Sequence, residues 1–170
     1  PLGLVIQITP WNHPLLISIK KLSCALAAGN SVILKPSELS PVSILRIADF
    51  LNESGLPKGV FNIIQGYGSK IGEKLCVNNY VSKIDLTGGD KAGKIIGEHA
   101  GKNGIYYSTE LGGKSPMLVF EDSDIEKTVS GITFGCFIAS GQTCIAGTRL
   151  LIQRSISKKF LSSLKKKILS

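Results

Sequence analysis

Apolar residues along this chain fall into short runs of four to six, alternating with longer stretches spaced near the helical period. The short runs at 4–9, 31–35, 60–64, 81–86, 105–109, 117–120 and 149–153 read as strands. Residues 14–28 read as a helix with apolar positions at Leu15, Leu16, Ile19, Leu22 and Leu26, ended by Gly29-Asn30. Residues 41–54 give a second helix closed by Gly55 and Pro57, and a shorter one runs to about Val77. Further helices are expected from Asp90 to about His99, over 125–139 and over 155–169.

Strand–helix units joined by short loops predict an α/β fold, a Rossmann-like open parallel sheet covered by helices on both faces. In such sheets ligands gather at the carboxyl ends of the strands. The unusual residues fall there: Asn12 after the first strand, Lys35 to Glu38 after the second, Gly66 to Ser69 after the third, Gly88 and Gly89 after the fourth, Glu110 to Gly113 after the fifth. The expected division is a nucleotide-binding domain over residues 1–112, followed by the first part of an α/β catalytic domain over 113–170. The chain opens at Pro1 directly into a strand pattern and stops at Ser170 inside a helix pattern, which reads as a central piece of a longer protein.

Composition changes little in this picture. A hydrophobic content of 43% describes a core-forming chain rather than a disordered one. The most apolar helix pattern is interrupted by Lys20 and Lys21 and is too short for the roughly 20 residues a bilayer requires, so no membrane partner is expected. Cys24, Cys76, Cys136 and Cys144 form no CxxC pair and no metal-ligand grouping with His13 or His99, so no metal is expected and a reduced, cytoplasmic setting is. The net charge of +8 owes much to Arg154, Lys158, Lys159, Lys165, Lys166 and Lys167, which read as solvated faces. No aromatic residues are interleaved there to stack on bases, so a nucleic-acid partner is not expected.

Two runs carry reactive groups: Glu110 in Thr-Glu-Leu-Gly-Gly-Lys-Ser-Pro and Cys144 in Ser-Gly-Gln-Thr-Cys-Ile-Ala-Gly. A thiolate can attack a carbonyl, and a carboxylate can then activate water. Cys144 has small neighbours that let backbone approach a ligand; a helix beginning nearby would favour its thiolate. Cys24 and Cys136 fall on apolar helix faces and are expected to be buried. Lys35 and Glu38 could hold the hydroxyls of a ribose, or Ser37 and Ser40 could simply cap the next helix. The run from Thr87 to Gly93 offers free N–H groups at a helix start to a pyrophosphate, although it is not GxGxxG and Asp90 adds negative charge. Asn12 sits between Pro10 and Pro14; it reads either as an oxyanion donor or as a turn residue.

Read together and in order, Pro-Trp-Asn, Lys-Pro-Ser-Glu, Thr-Gly-Gly, Glu-Leu-Gly-Gly-Lys-Ser-Pro and Gly-Gln-Thr-Cys resemble the aldehyde dehydrogenase superfamily along the whole chain. The resemblance implies an enzyme that oxidises a small-molecule aldehyde to a carboxylic acid with NAD. Cys144 would be the nucleophile, Asn12 the oxyanion donor with the Cys144 N–H, and Glu110 the base for thioester hydrolysis. Lys21 would hold and relay protons near that glutamate. For the cofactor, Lys35 and Glu38 would bind the adenosine ribose, Gly68 would border the adenine, and Gly88 and Gly89 would carry the pyrophosphate. Trp11 with the backbone of Ile8 and Thr9 would line its path, and the backbone at Leu111 would position the nicotinamide. Glu38 would repel a 2′-phosphate, favouring NAD over NADP. The full-length enzyme would be a homodimer or homotetramer. A coenzyme-A-acylating semialdehyde dehydrogenase, a reductive NADPH enzyme and a non-catalytic dinucleotide-binding module are the rival readings.

Overall fold

The computed structural model describes residues 1–170, which form two compact units, Pro1–Leu111 and Gly112–Ser170. The first contains strands β1 (Leu4–Ile8), β2 (Ser31–Lys35), β3 (Phe61–Ile63), β4 (Val81–Thr87) and β5 (Tyr106–Glu110). Helices α1 (Pro14–Ala27), α2 (Val42–Glu53), α3 (Gly68–Cys76) and α4 (Asp90–Lys102) connect them. The sheet is wholly parallel with order β3-β2-β1-β4-β5. The chain builds outward from β1 through β2 and β3, then crosses back and continues from β4 to β5. The strand order therefore reverses between β1 and β4, the point at which sheets of this kind take their ligands.

Pleating sends alternate residues to opposite faces. Val32 and Leu34 pack with Leu22 and Ala25 of α1 and Ile44 and Ile47 of α2. Ile6, Ile84 and Leu86 pack on the other face with Cys76 of α3 and with Ile96 and Ala100 of α4. Helix α1 ends as its Gly29-Asn30 sequence predicts. Gly29 takes φ +74°, its N–H bonds the Leu26 carbonyl at 2.9 Å, and the Asn30 N–H bonds the Ala25 carbonyl at 3.1 Å.

Only the second half of α1 buries the face its apolar spacing suggests, with Leu22 buried and Leu26 packed beside it. Leu15, Leu16 and Ile19 are exposed, whereas Ser18, Leu22 and Ala25 are buried. The reason lies beneath the helix. The sheet there presents Gln7 and Thr9, and the Ser18 hydroxyl donates to Thr9 Oγ1 at 3.1 Å. Over that polar floor the helix places a serine rather than an apolar side chain.

The second unit holds β6 (Ser115–Val119), α5 (Ile125–Phe137), β7 (Gly147–Ile152) and α6 (Ser157–Leu169), with β6 and β7 parallel. Val119, Val129, Ile132 and Phe160 form its core. Asp124 caps α5 by accepting the Lys127 N–H at 3.1 Å. The helix ends at Phe137, earlier than residue 139, because Ala139 and Ser140 adopt φ +51° and +57° and turn the chain left-handed. The basic residues of α6 are exposed, leaving Phe160 as its buried anchor.

Candidate functional site

Register decides which residues meet at the carboxyl edge of the first unit's sheet. Ile8 pairs with Lys35 on one side and Leu86 on the other, and Thr87 pairs with Glu110. The loops carrying Asn12, Glu38 and Gly88-Gly89 thus leave from neighbouring strand ends, with Glu110 closing the row as the last residue of β5. Gly68 opens α3 after β3.

At the end of β2 the Lys35 ammonium bonds Glu38 Oε2 at 3.0 Å. The lysine side chain is only 6% exposed, so its charge is directed along the edge rather than into bulk water. A backbone hydrogen bond at Glu38, and then the Lys35 ammonium, hold the glutamate below the usual carboxylate range. Trp11 is exposed, and its carbonyl accepts the Ser40 hydroxyl at 3.1 Å, tying the loop after β1 to the loop after β2.

The turn after β4 departs from expectation at one atom. The Gly88 N–H donates to the Glu110 carbonyl at 3.1 Å, so this donor is spent on the sheet edge and does not face a ligand. Gly89 is the N-cap of α4, which has no side-chain cap, so its first-turn N–H groups carry the helix's partial positive charge outward. Asp90 lies in that first turn, where a carboxylate favours the helix itself. A Cβ at Gly68 or Gly89 would meet nothing, and one at Gly88 only Leu86 at 3.4 Å, so the turn surface is open. Leu111, which follows Glu110, packs against Gly93 of α4; a Cβ there would come within 2.8 Å of its methyl groups.

Asn12 Oδ1 accepts the His13 N–H at 3.1 Å, which orients the carboxamide at the entrance to α1. Behind it lies a polar row that the sequence reading missed. Gln7, Asp85 and Ser108 pair across β1, β4 and β5. The Lys21 ammonium donates to Asp85 Oδ1 at 2.6 Å, and the Ser108 hydroxyl reaches the same oxygen at 3.0 Å. Gln7 Nε2 donates to the Lys21 carbonyl at 2.8 Å. The available signal was a glutamine inside an otherwise apolar strand and an aspartate between Ile84 and Leu86.

Cys144 lies in the second unit on a turn in which the Ala146 N–H bonds the Thr143 carbonyl at 3.0 Å. The thiol is exposed, and no helix starts there. Three successive left-handed residues, Ala139, Ser140 and Gly141, precede the turn, and for the first two this conformation costs roughly 1–2 kcal/mol each. Gly113 comes against this turn: a Cβ on it would lie 3.9 Å from the Cys144 carbonyl oxygen. The other cysteines correct the expectation for two of them. Cys24 is exposed and Cys136 half-buried beside Met117, whereas Cys76 is fully buried and its thiol is pushed up to about 11 by burial. An apolar cavity lined by Met117, Ile132, Cys136, Leu150, Leu164 and Ile168 holds none of the predicted site residues. No group of three or more His, Cys, Asp or Glu residues is disposed to hold a metal, and no helix is long and apolar enough to cross a membrane.

The aldehyde dehydrogenase family model matches residues 1–170. The chain belongs to the aldehyde dehydrogenase family. It is 45% identical over 166 residues to aldehyde dehydrogenase [NAD(P)+] 1 of Saccharomyces cerevisiae, covering 97% of this chain and 33% of that protein. It is 43% identical over 167 residues to betaine aldehyde dehydrogenase of Bacillus subtilis, covering 98% and 34%. The crystal structure of betaine aldehyde dehydrogenase from Staphylococcus aureus in complex with NAD+ superposes with a TM-score of 0.97 at 40% identity, covering 100% of this chain and 34% of that one. The chain spans about a third of the length of the curated relatives it matches.

Proposed function

We propose that the full-length protein carrying this chain oxidises an aldehyde to a carboxylic acid with NAD, through a thioester on Cys144. Family membership supports the reaction class. The observation that carries the site is the carboxyl edge of the parallel sheet, where the Lys35–Glu38 pair, the open glycine turn and Glu110 follow neighbouring strands on either side of the order reversal at β1 and β4.

The residues of that edge fit a dinucleotide. A buried ammonium and a charged carboxylate suit ribose hydroxyls, and the uncapped start of α4 at Gly89 suits a pyrophosphate. Gly68 leaves room for the adenine, while Ile8, Thr9, Trp11 and Leu111 would border the rest. In this reading Gly88 serves through its missing side chain rather than its N–H. Glu38 disfavours a 2′-phosphate, and NAD is therefore the cofactor. When bound, NAD accepts the hydride.

The Cys144 sulfur adds to the aldehyde carbon, and the oxyanion takes hydrogen bonds from the Asn12 amide and the Cys144 N–H. After oxidation, Glu110 takes a proton from water, the water oxygen bonds the acyl carbon and the carbon–sulfur bond breaks. Lys21 holds and relays protons beside it. A carboxylate at position 110 favours hydrolysis over acyl transfer to coenzyme A. The division at 1–112 and 113–170 then separates cofactor binding from the start of the catalytic domain.

The test is NADH formation by full-length protein. Cys144→Ala abolishes it, whereas Glu110→Gln keeps a first equivalent of NADH and slows turnover by about 100-fold or more. Turnover that survives in Cys144→Ala refutes the mechanism.

A further inference from the structure

We propose that Asp85 is a positioning residue for the hydrolytic half-reaction, acting by fixing the Lys21 ammonium beside Glu110 without letting the two pair. The inference rests on the thioester mechanism above. Its grounds are a register and a set of hydrogen bonds within the first unit.

Ser108 and Glu110 are two residues apart on β5 and so belong to one face of the sheet. Asp85 pairs with Ser108, and Thr87 with Glu110, so Asp85 sits one step behind Glu110 on that face, about 6–7 Å back along the strands. Two carboxylates on one face can compete for one ammonium on a flexible four-carbon stem. The structure shows how the competition is settled. Lys21 donates to Asp85 Oδ1 at 2.6 Å, and the Ser108 hydroxyl donates to the same oxygen at 3.0 Å. The backbone from which the lysine springs is itself held, because Gln7 Nε2 donates to the Lys21 carbonyl. Gln7 is 1% exposed, and its Oε1 has no partner, so the row tolerates an unsatisfied oxygen to keep that grip.

Lys21 and Asp85 are 9% and 21% exposed, and in so poorly solvated a site an ammonium without its partner will seek another carboxylate. On this face that carboxylate is Glu110. Asp85 thus leaves Glu110 available to take the proton of water, while the ammonium stays near enough to act on the hydrogen-bond chain around it. Nothing in this arrangement touches sulfur attack or the Lys35–Glu38 pair, so the effect belongs to hydrolysis alone.

The experiment uses full-length enzyme, NAD and a panel of short aliphatic and trimethylammonio aldehydes, with rapid mixing to separate the first NADH equivalent from steady turnover. Asp85→Asn is expected to slow steady turnover by about 10–100-fold while the initial NADH burst and the KM for NAD stay as in the wild type. Ser108→Ala, which keeps the ion pair and guards against a folding defect, is expected to slow turnover about two- to fivefold. Adding Asp85→Asn to Lys21→Met should cost nothing further, because the aspartate acts through the lysine. Unchanged turnover in Asp85→Asn, a lost burst, or an effect that multiplies with Lys21→Met overturns the inference. A wild type that forms no NADH with any aldehyde overturns the proposed function as well, so the two failures are told apart.

Discussion

Burial sets the chemistry open to each cysteine in this chain. Cys76 is fully buried and held protonated up to about 11, so it resists thiol reagents in the native protein at neutral pH. Cys24 and Cys144 are both exposed, so labelling distinguishes them only in a Cys24→Ser background. The Cys76 shift has a stability consequence. Above 9.0 an unfolded chain sheds the thiol proton while the folded one keeps it until about 11, so the stability present at lower pH is lost across that interval. The loss from this group is expected to be at most about 2–3 kcal/mol. Denaturant titrations of wild type and Cys76→Ala near both ends of the interval check it, and a difference that does not change with pH refutes it. Cys144 could be singled out from its neighbours in sequence, but the exposure of Cys24 could not, because only the fold decides which face of α1 lies on the sheet.

Helix α4 shows how an element is fitted to its strand. Tyr107 of β5 donates its hydroxyl to the Gly93 carbonyl at 2.8 Å, and its ring lies where a Cβ on Gly97 would come within 2.9 Å. The glycines therefore let the helix approach the strand, and with it Leu111 and the end of β5. Alanine at a helix interior normally gains about 1 kcal/mol over glycine. Gly101→Ala, whose Cβ would meet nothing, is expected to show part of that gain, about 0.5 kcal/mol, because it lies in the last turn of α4. Gly97→Ala is expected instead to cost about 1–3 kcal/mol, because a hydrogen-bonded ring must move. Thermal unfolding of the two variants checks the contrast, and stabilisation by Gly97→Ala refutes it. Strand and helix order was readable from apolar spacing, with ends off by a few residues. The burial of Ser18 in place of Leu15, Leu16 and Ile19 was not, since Ser18, Gln7 and Thr9 come together only in the folded unit.

At the scale of the molecule, sheet order decides what stands near what. Because the order reverses between β1 and β4, the loops after them leave from adjacent strand ends, and Glu38, just past β2, lies one strand away. Its carboxyl is held low by a backbone hydrogen bond and by Lys35, so the charge is present above the usual carboxylate value and is lost only as pH falls through the lowered one. Discrimination against NADP is therefore expected to hold from about pH 8 to about pH 7 and to weaken towards pH 6 only because the 2′-phosphate, whose second pKa is about 6, gains a proton there. Glu38→Ala is expected to raise NADP affinity relative to NAD by roughly tenfold or more, since a charge repulsion at contact distance is removed. Binding titrations of both nucleotides check this, and an unchanged ratio refutes the role of Glu38.

The sequence by itself determined the element order, the parallel α/β class and the residues at strand ends, because spacing of apolar positions and turn residues is local information. Its motifs also sufficed to identify the family. Only the tertiary structure decided that Lys21 reaches Asp85, that the Gly88 N–H is consumed by Glu110, and that Cys76 rather than Cys24 is the buried thiol. Each of these depends on which strand lies beside which and in what register. That is set by the summed packing of two helical layers on one sheet, and no single stretch of the chain records it.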